Sequence, residues 1–66
     1  MSVSERVEIL EGMYKFLNGV KEKSSNWFVM ARNLVGGLES RIFDISEEDF
    51  LTGVKCWEDL KIGLLQ

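Results

Sequence analysis

The segment ISEEDFLTGVKCWEDLKIGLL, residues 45–65, carries the clearest secondary-structure signal in this chain. Ser46 is a preferred N-cap residue, and the three carboxylates at 47–49 fill a first turn where the helix dipole favours negative charge. Ile45 and Phe50 occupy the two positions of a hydrophobic staple. An apolar stripe at helical spacing follows, formed by Phe50, Val54, Trp57, Leu60 and Leu64. The segment therefore predicts a helix over 47–65.

A second amphipathic segment begins at Ser2, and Glu5 three residues later completes a capping-box pattern. Apolar residues then recur every three or four positions in two neighbouring rows. One row holds Val3, Val7, Leu10, Tyr14 and Leu17, and the other holds Ile9, Met13, Phe16 and Val20. The pattern predicts a helix over 3–22, with Asn18-Gly19 as an alternative C-terminus.

The middle of the chain predicts a helix over 26–43, capped by Ser24, Ser25 or Asn26. Gly36-Gly37 inside it costs about 2 kcal/mol of helix propensity, so we expect a kink, a stop or a closely packed backbone there. In residues 41–45, polar and apolar side chains alternate enough that a short strand is the alternative there. The three helices predict an all-α fold, a small antiparallel three-helix bundle in a single domain over 1–66.

The chain is rich in apolar residues for its size: 45% of its 66 residues are hydrophobic. Three short helices have room for about 20 core side chains if about three positions in seven face inward. About ten apolar residues exceed that number, and apolar surface left in water favours a partner. We therefore expect the bundle to be completed by self-association, as a homodimer, or by another protein.

Signals for chemistry are weak. The chain has no histidine and one cysteine, Cys56, so Ser-His and Cys-His pairs, an internal disulfide and a zinc site are all excluded. Gly36-Gly37 lacks the spacing of a phosphate-binding loop, and no calcium-loop pattern is present. We expect no enzyme activity, no catalytic residues, no cofactor and no metal. The N-terminal residues do not resemble a signal peptide and no apolar run would span a membrane, so the expected location is cytoplasmic.

Nucleic-acid binding is an alternative with little support. The net charge is −3, and the basic residues of the middle segment, Lys15, Lys21, Lys23, Arg32 and Arg41, are widely spaced. A small helix-turn-helix regulator would place Gly36-Gly37 in its turn and present Glu39, Ser40 and Arg41 to DNA. A single arginine beside a glutamate offers few contacts for recognising bases. The negative net charge of the chain also weakens binding to DNA phosphates.

The function we expect is stoichiometric protein binding, as an inhibitor or adaptor of a larger protein, with helix-face docking as its mechanism. The candidate anchors are Trp27, Phe28, Phe43 and Trp57, although each tryptophan is also a candidate core residue. Glu58 and Asp59 would form the polar rim. Small, acidic, histidine-free helical proteins occur among phage and mobile-element products that inhibit other proteins, and also among bacterial adaptors and antitoxins, but no motif ties the chain to a family. A purely structural homo-oligomer is the third interpretation.

Overall fold

The computed structural model describes all residues 1–66 and contains three helices, α1 (Val3–Asn18), α2 (Asn26–Ser40) and α3 (Glu47–Leu65), with no strand. The predicted all-α three-helix fold is confirmed. The body is elongated, measuring 32 × 17 × 16 Å. α2 runs antiparallel to α3, because Trp27 at its start contacts Gly63 and Leu38 near its end contacts Gly53. It also runs antiparallel to α1, whose first turn lies beside the end of α2. None of the three helices combines the length and the apolar composition needed to cross a bilayer.

A serine caps the start of each helix: Ser2 and Ser46 are the predicted N-caps, and Ser25 is one of the three candidates for α2. The hydroxyls of Ser2, Ser25 and Ser46 accept hydrogen bonds of 3.1 Å from the backbone N–H three residues on. The Glu5 carboxylate also accepts from the Ser2 backbone N–H, which completes the capping box. These caps satisfy amides that have no partner inside the helix, so they define where each helix starts.

Two helices end earlier than predicted. The first ends at Asn18, capped by Gly19, so the expected extension to residue 22 is wrong and the alternative end at Asn18-Gly19 is confirmed. Lys23 Nζ donates to the carbonyls of Leu17 and Asn18, at 3.2 and 3.3 Å, and so satisfies acceptors at this helix end. The second helix ends at Ser40 instead of residue 43.

The segment that connects α2 to α3 is a tight turn. The N–H groups of Asp44 and Ile45 both donate to the carbonyl of Arg41, at 2.9 and 2.8 Å. The strand considered for residues 41–45 is therefore wrong, because these amides are satisfied locally.

Close helix packing occurs at glycines other than the expected pair. The second helix continues through Gly36-Gly37, and a Cβ added at Gly37 would meet no atom within 4 Å. The expected stop or close backbone approach at this pair is wrong. A Cβ at Gly53 would instead lie 2.7 Å from Leu38, and one at Gly63 would lie 2.7 Å from Trp27. α2 thus packs closely on α3 because α3 has glycines at two of its contact points.

The core takes its side chains from all three helices and from the turn before α3. Ten hydrophobic side chains are buried: Leu10, Met13, Leu17, Ala31, Val35, Leu38, Ile42, Ile45, Phe50 and Trp57. Ten large hydrophobic side chains stay exposed: Met1, Val3, Val7, Trp27, Val29, Met30, Phe43, Leu51, Ile62 and Leu65. The surplus of about ten apolar residues predicted from the sequence is therefore present on the surface of a single copy.

Candidate functional site

Trp27 is the largest apolar side chain that a partner can reach. It is the second residue of α2, and 49% of its surface is exposed. Its ring lies across Gly63 near the end of α3, where any larger residue would collide with it. The indole is thus supported on one side by the α3 backbone and open to solvent on the other.

Trp27 belongs to an apolar stripe along α2. Met30 is 53% exposed and lies three residues after Trp27, and Leu34, half-buried, lies four residues further. Residues at i, i+3 and i+7 share one face of a helix, so these three side chains form a continuous row. We call Trp27, Met30 and Leu34 the α2 stripe.

A cleft opens beside Trp27 at the end of the bundle. Its volume is about 720 Å³, and it lies between the end of α1, the α1–α2 loop and the end of α3. Five hydrophobic side chains line it: Phe16, Val20, Trp27, Leu64 and Leu65. The polar lining includes Lys15, Lys21 and Glu22. We call this the Trp27 cleft; it exists because α1 stops at Asn18 while α3 continues to Leu65.

Lysines dominate the side-chain charge around the cleft. Lys15 and Lys21 are exposed, and neither makes a salt bridge or a side-chain hydrogen bond. Lys61 Nζ lies 5.1 Å from the centre of the Phe16 ring, in cation–π geometry. The negative charge in the lining comes from the Glu22 side chain and from the main-chain carboxylate of Gln66.

The opposite end of the bundle is acidic. There the N-terminal ammonium of Met1 pairs with Glu47 at the start of α3. This contact and the attraction of the ammonium charge lower the pKa of Glu47, and the nearby Glu5 carboxylate opposes the shift. Carboxylates from the starts of α1 and α3 therefore meet at one end, because the two helices run in the same direction.

The four predicted anchors do not share a surface. Trp57 is 4% exposed and packs edge-on against Phe16, with ring centres 5.7 Å apart, so it is a core residue and is not accessible to a partner. Phe28 packs half-buried against the core, with Lys23 Nζ 5.3 Å from its ring centre. Phe43 is 80% exposed but lies in the turn after α2. A helix of 15 residues is about 22 Å long, which separates Phe43 from Trp27.

The two predicted rim residues point in different directions. Glu58 and Asp59 are both exposed on α3 and have no hydrogen-bond or salt-bridge partner. Asp59 shares a helix face with Gly63, four residues on, and so lies on the side of α3 that Trp27 covers. Glu58 shares a face with Ile62 instead, so of the pair only Asp59 lies beside the α2 stripe.

Sequence reasoning overlooked Met30, Gly63 and the two cleft lysines. Met30 had a usable signal, since it lies between Trp27 and Leu34 at helical spacing. Gly63 also had one, because a glycine inside an otherwise strong helix marks a point of close packing or weakness. Lys15 and Lys21 had none, since only the fold brings them to the end of α3.

A second, smaller groove lies between α1 and α2. Its volume is about 310 Å³, and its lining includes Tyr14 and Glu39. The Tyr14 hydroxyl donates to Glu39 Oε1 at 2.9 Å, and the Arg32 guanidinium lies 5.1 Å from the Tyr14 ring centre. Burial, followed by the hydrogen bond to Glu39, raises the pKa of Tyr14 above its ordinary value of 10.0. The three side chains tie α1 to α2.

The residues proposed to read DNA are engaged within the chain. Glu39 accepts from Tyr14, while Ser40 Oγ and Arg41 Nε both donate to the carbonyl of Gly37, at 2.9 and 3.4 Å. The turn that a helix-turn-helix needs at Gly36-Gly37 is not formed, because α2 is continuous there.

Comparisons with known proteins add no relative: no family model, no curated protein and no solved structure matches the chain.

Proposed function

We propose that this chain is a non-catalytic protein-binding module that acts as a stoichiometric inhibitor or adaptor of a larger protein. The observation that carries the proposal is the α2 stripe. Trp27 and Met30 are each about half exposed, and Leu34 extends the row along the same helix face. Tryptophan and methionine are enriched where proteins dock, and tryptophan is a frequent hot-spot residue.

The mode of binding that fits this surface is helix-in-groove docking. Anchors at i, i+3 and i+7 on one exposed face are the pattern that such grooves recognise. Trp27 is already held against Gly63, so little side-chain freedom is lost when a partner covers it. Asp59 at the edge of the same surface supplies a polar rim that favours a basic neighbour.

Self-association through the same stripe is the second candidate. A second copy that places its own α2 stripe on the first would cover both Trp27 side chains, as a symmetric dimer does. The exposure of ten large hydrophobic side chains on one copy supports this alternative as much as a different partner. A cytoplasmic location fits both, since the lone thiol of Cys56 suits a reducing compartment.

The test combines sedimentation with capture from cells. We would compare the parent protein with the double variant Trp27→Ala/Met30→Ala, and use Val29→Ala as the matched control. Val29 is also about half exposed on α2, but it is offset from the stripe by its position in the helix. A third variant, Phe43→Ala, probes the exposed side chain at the other end of the bundle.

We expect the parent protein to form a stoichiometric complex. The variant Trp27→Ala/Met30→Ala should not form it, although its helical circular dichroism should equal that of the parent. A complex with one dominant cellular protein identifies an inhibitor or adaptor, and a dimer of the purified chain at micromolar concentration identifies self-association. If Phe43→Ala abolishes association and the stripe variant does not, the α2 stripe is not the binding surface. If the parent protein is monomeric and captures nothing, the proposal fails.

A further inference from the structure

We infer that the Trp27 cleft binds a small amphiphile that has an apolar body and one anionic head group. This is a ligand site in its own right and does not depend on the proposed protein partner. The cleft volume of about 720 Å³ falls within the roughly 300–1,000 Å³ typical of small-molecule pockets. A monomeric ligand of that size fills it, whereas a folded partner would cover it only from outside.

The walls of the cleft suit an apolar body. Trp27 forms one wall, and Leu64 and Leu65 at the end of α3 form another, with Phe16 and Val20 on the α1 side. Because Gly63 has no side chain, the indole lies directly on the α3 backbone, and this contact holds the Trp27 wall of the cleft in place. An alkyl chain or flat ring placed here removes apolar surface of both partners from water, and each buried CH₂ contributes about 0.8 kcal/mol.

The polar side of the cleft selects the charge of the head group. Lys15 and Lys21 have no partner in the structure, and the anionic groups of the lining are the Glu22 side chain and the main-chain carboxylate of Gln66 after α3. The carbonyls at the end of α1 would repel an anion, but Lys23 Nζ already binds those of Leu17 and Asn18. The carbonyls at the end of α3 have no such cation and disfavour an anion there. The head group is therefore expected beside α1 and the loop, with the body pointing towards Trp27 and Leu65.

The experiment titrates the full chain with decyl sulfate below its micelle concentration and follows the indole N–H signals of Trp27 and Trp57 by NMR. Decyltrimethylammonium, which has the same alkyl chain and the opposite charge, is the matched ligand control. We expect saturable binding of decyl sulfate that shifts the Trp27 signal more than the buried Trp57 signal. We also expect binding at least tenfold weaker for the cation.

Variants locate the head group. Lys15→Gln/Lys21→Gln should weaken decyl sulfate binding about five- to tenfold and leave that of neutral decyl glucoside unchanged, because only the charged contact is lost. Lys55→Gln is the matched control, since Lys55 is exposed on α3 but does not line the cleft. Its affinity for decyl sulfate should equal that of the parent protein.

Three results would overturn the inference: equal affinity for the cation and the anion, decyl sulfate binding that is absent or never saturates, or binding to phosphatidylglycerol vesicles with none to the monomeric amphiphile. The last would mean that a lipid surface is recognised and that the cleft is not a site for a single molecule. A failed protein capture leaves these measurements unaffected, since they use the purified chain alone. The two proposals therefore fail separately.

Discussion

Arg6 Nη1 donates a 2.7 Å hydrogen bond to the carbonyl of Ile45, which joins the first turn of α1 to the turn before α3. The same nitrogen donates to the carbonyl of Ile42 at 3.1 Å, and the guanidinium lies 5.4 Å from the centre of the Phe50 ring. Arg6 is only 8% exposed, and its Nε has no partner. A buried arginine that binds carbonyls, with no carboxylate in a salt bridge to it, positions the α2–α3 connection against α1.

Replacing Arg6 should destabilise the fold strongly. Arg6→Ala leaves the carbonyls of Ile42 and Ile45 without their charged donor, and hydrogen bonds from charged groups contribute about 1.5–3 kcal/mol each. We expect the free energy of unfolding to fall by about 2–4 kcal/mol in urea denaturation. The free energy of unfolding of Arg6→Lys should lie between those of Arg6→Ala and the parent protein, because a single ammonium replaces the planar guanidinium. A loss under about 0.5 kcal/mol for Arg6→Ala would show that these hydrogen bonds contribute little.

Alanine substitutions at two helical glycines should have opposite signs. Gly37→Ala should stabilise the protein by about 0.5–1 kcal/mol, because its Cβ meets no atom within 4 Å and alanine is the better helix former. Gly53→Ala should destabilise by about 1–3 kcal/mol, because its Cβ would lie 2.7 Å from the buried Leu38. Thermal unfolding of the two variants measures the contrast. Equal shifts of the same sign would mean that α2 and α3 can separate freely at Gly53.

The two tryptophans should differ in their effect on stability. Trp57→Ala removes a buried ring and its edge-on contact with Phe16, a change that typically costs about 3–5 kcal/mol. That is most of the stability of a domain this small, so helical circular dichroism should be largely lost. Trp27→Ala removes a half-exposed ring and should keep the helical signal. Similar losses for both variants would contradict the placement of Trp27 on the surface.

The titration of Tyr14 should be visible directly, because it is the one tyrosine in the chain. We expect the tyrosinate absorbance of the folded protein to appear at a higher pH than that of the urea-unfolded chain, since burial and Glu39 raise the pKa of Tyr14. A raised pKa means that the folded state favours the protonated phenol. The contribution of Tyr14 to the stability of the fold is thus complete below pH 10.0, and it is lost as the pH rises through the pKa of the folded state.

Two variants check this assignment. The free energy of unfolding should fall at high pH over the range in which Tyr14 ionises. Tyr14→Phe should remove this part of the fall. Glu39→Gln should lower the folded pKa of Tyr14 towards its ordinary value, because the carboxylate charge is gone. If the titration of Tyr14 is unchanged in Glu39→Gln, burial alone raises the pKa of Tyr14.

Local sequence signals predicted the helices well and their ends less well. Ser2, Ser25 and Ser46 were among the expected caps, since an N-cap depends on a side chain three residues from its target. The end of α1 was misjudged because Val20 continues the apolar row while the chain leaves the helix at Gly19. Close helix packing was predicted at Gly36-Gly37 but occurs at Gly53 and Gly63, because it depends on which helix lies opposite a glycine.

The amino-acid sequence by itself determined the starts of α1 and α3, limited the cap of α2 to three residues, and determined the all-α class and the surplus of about ten apolar side chains. Capping and periodicity act over a few residues, and composition acts over the whole chain. Only the tertiary structure decided that Trp57 is buried while Trp27 lies half exposed over Gly63. It also decided that Arg6 is buried, and that Lys15 and Lys21 lie beside the end of α3. The physical reason is that these are contacts between helices, and helical spacing is the same for a side chain that faces a neighbouring helix and for one that faces water.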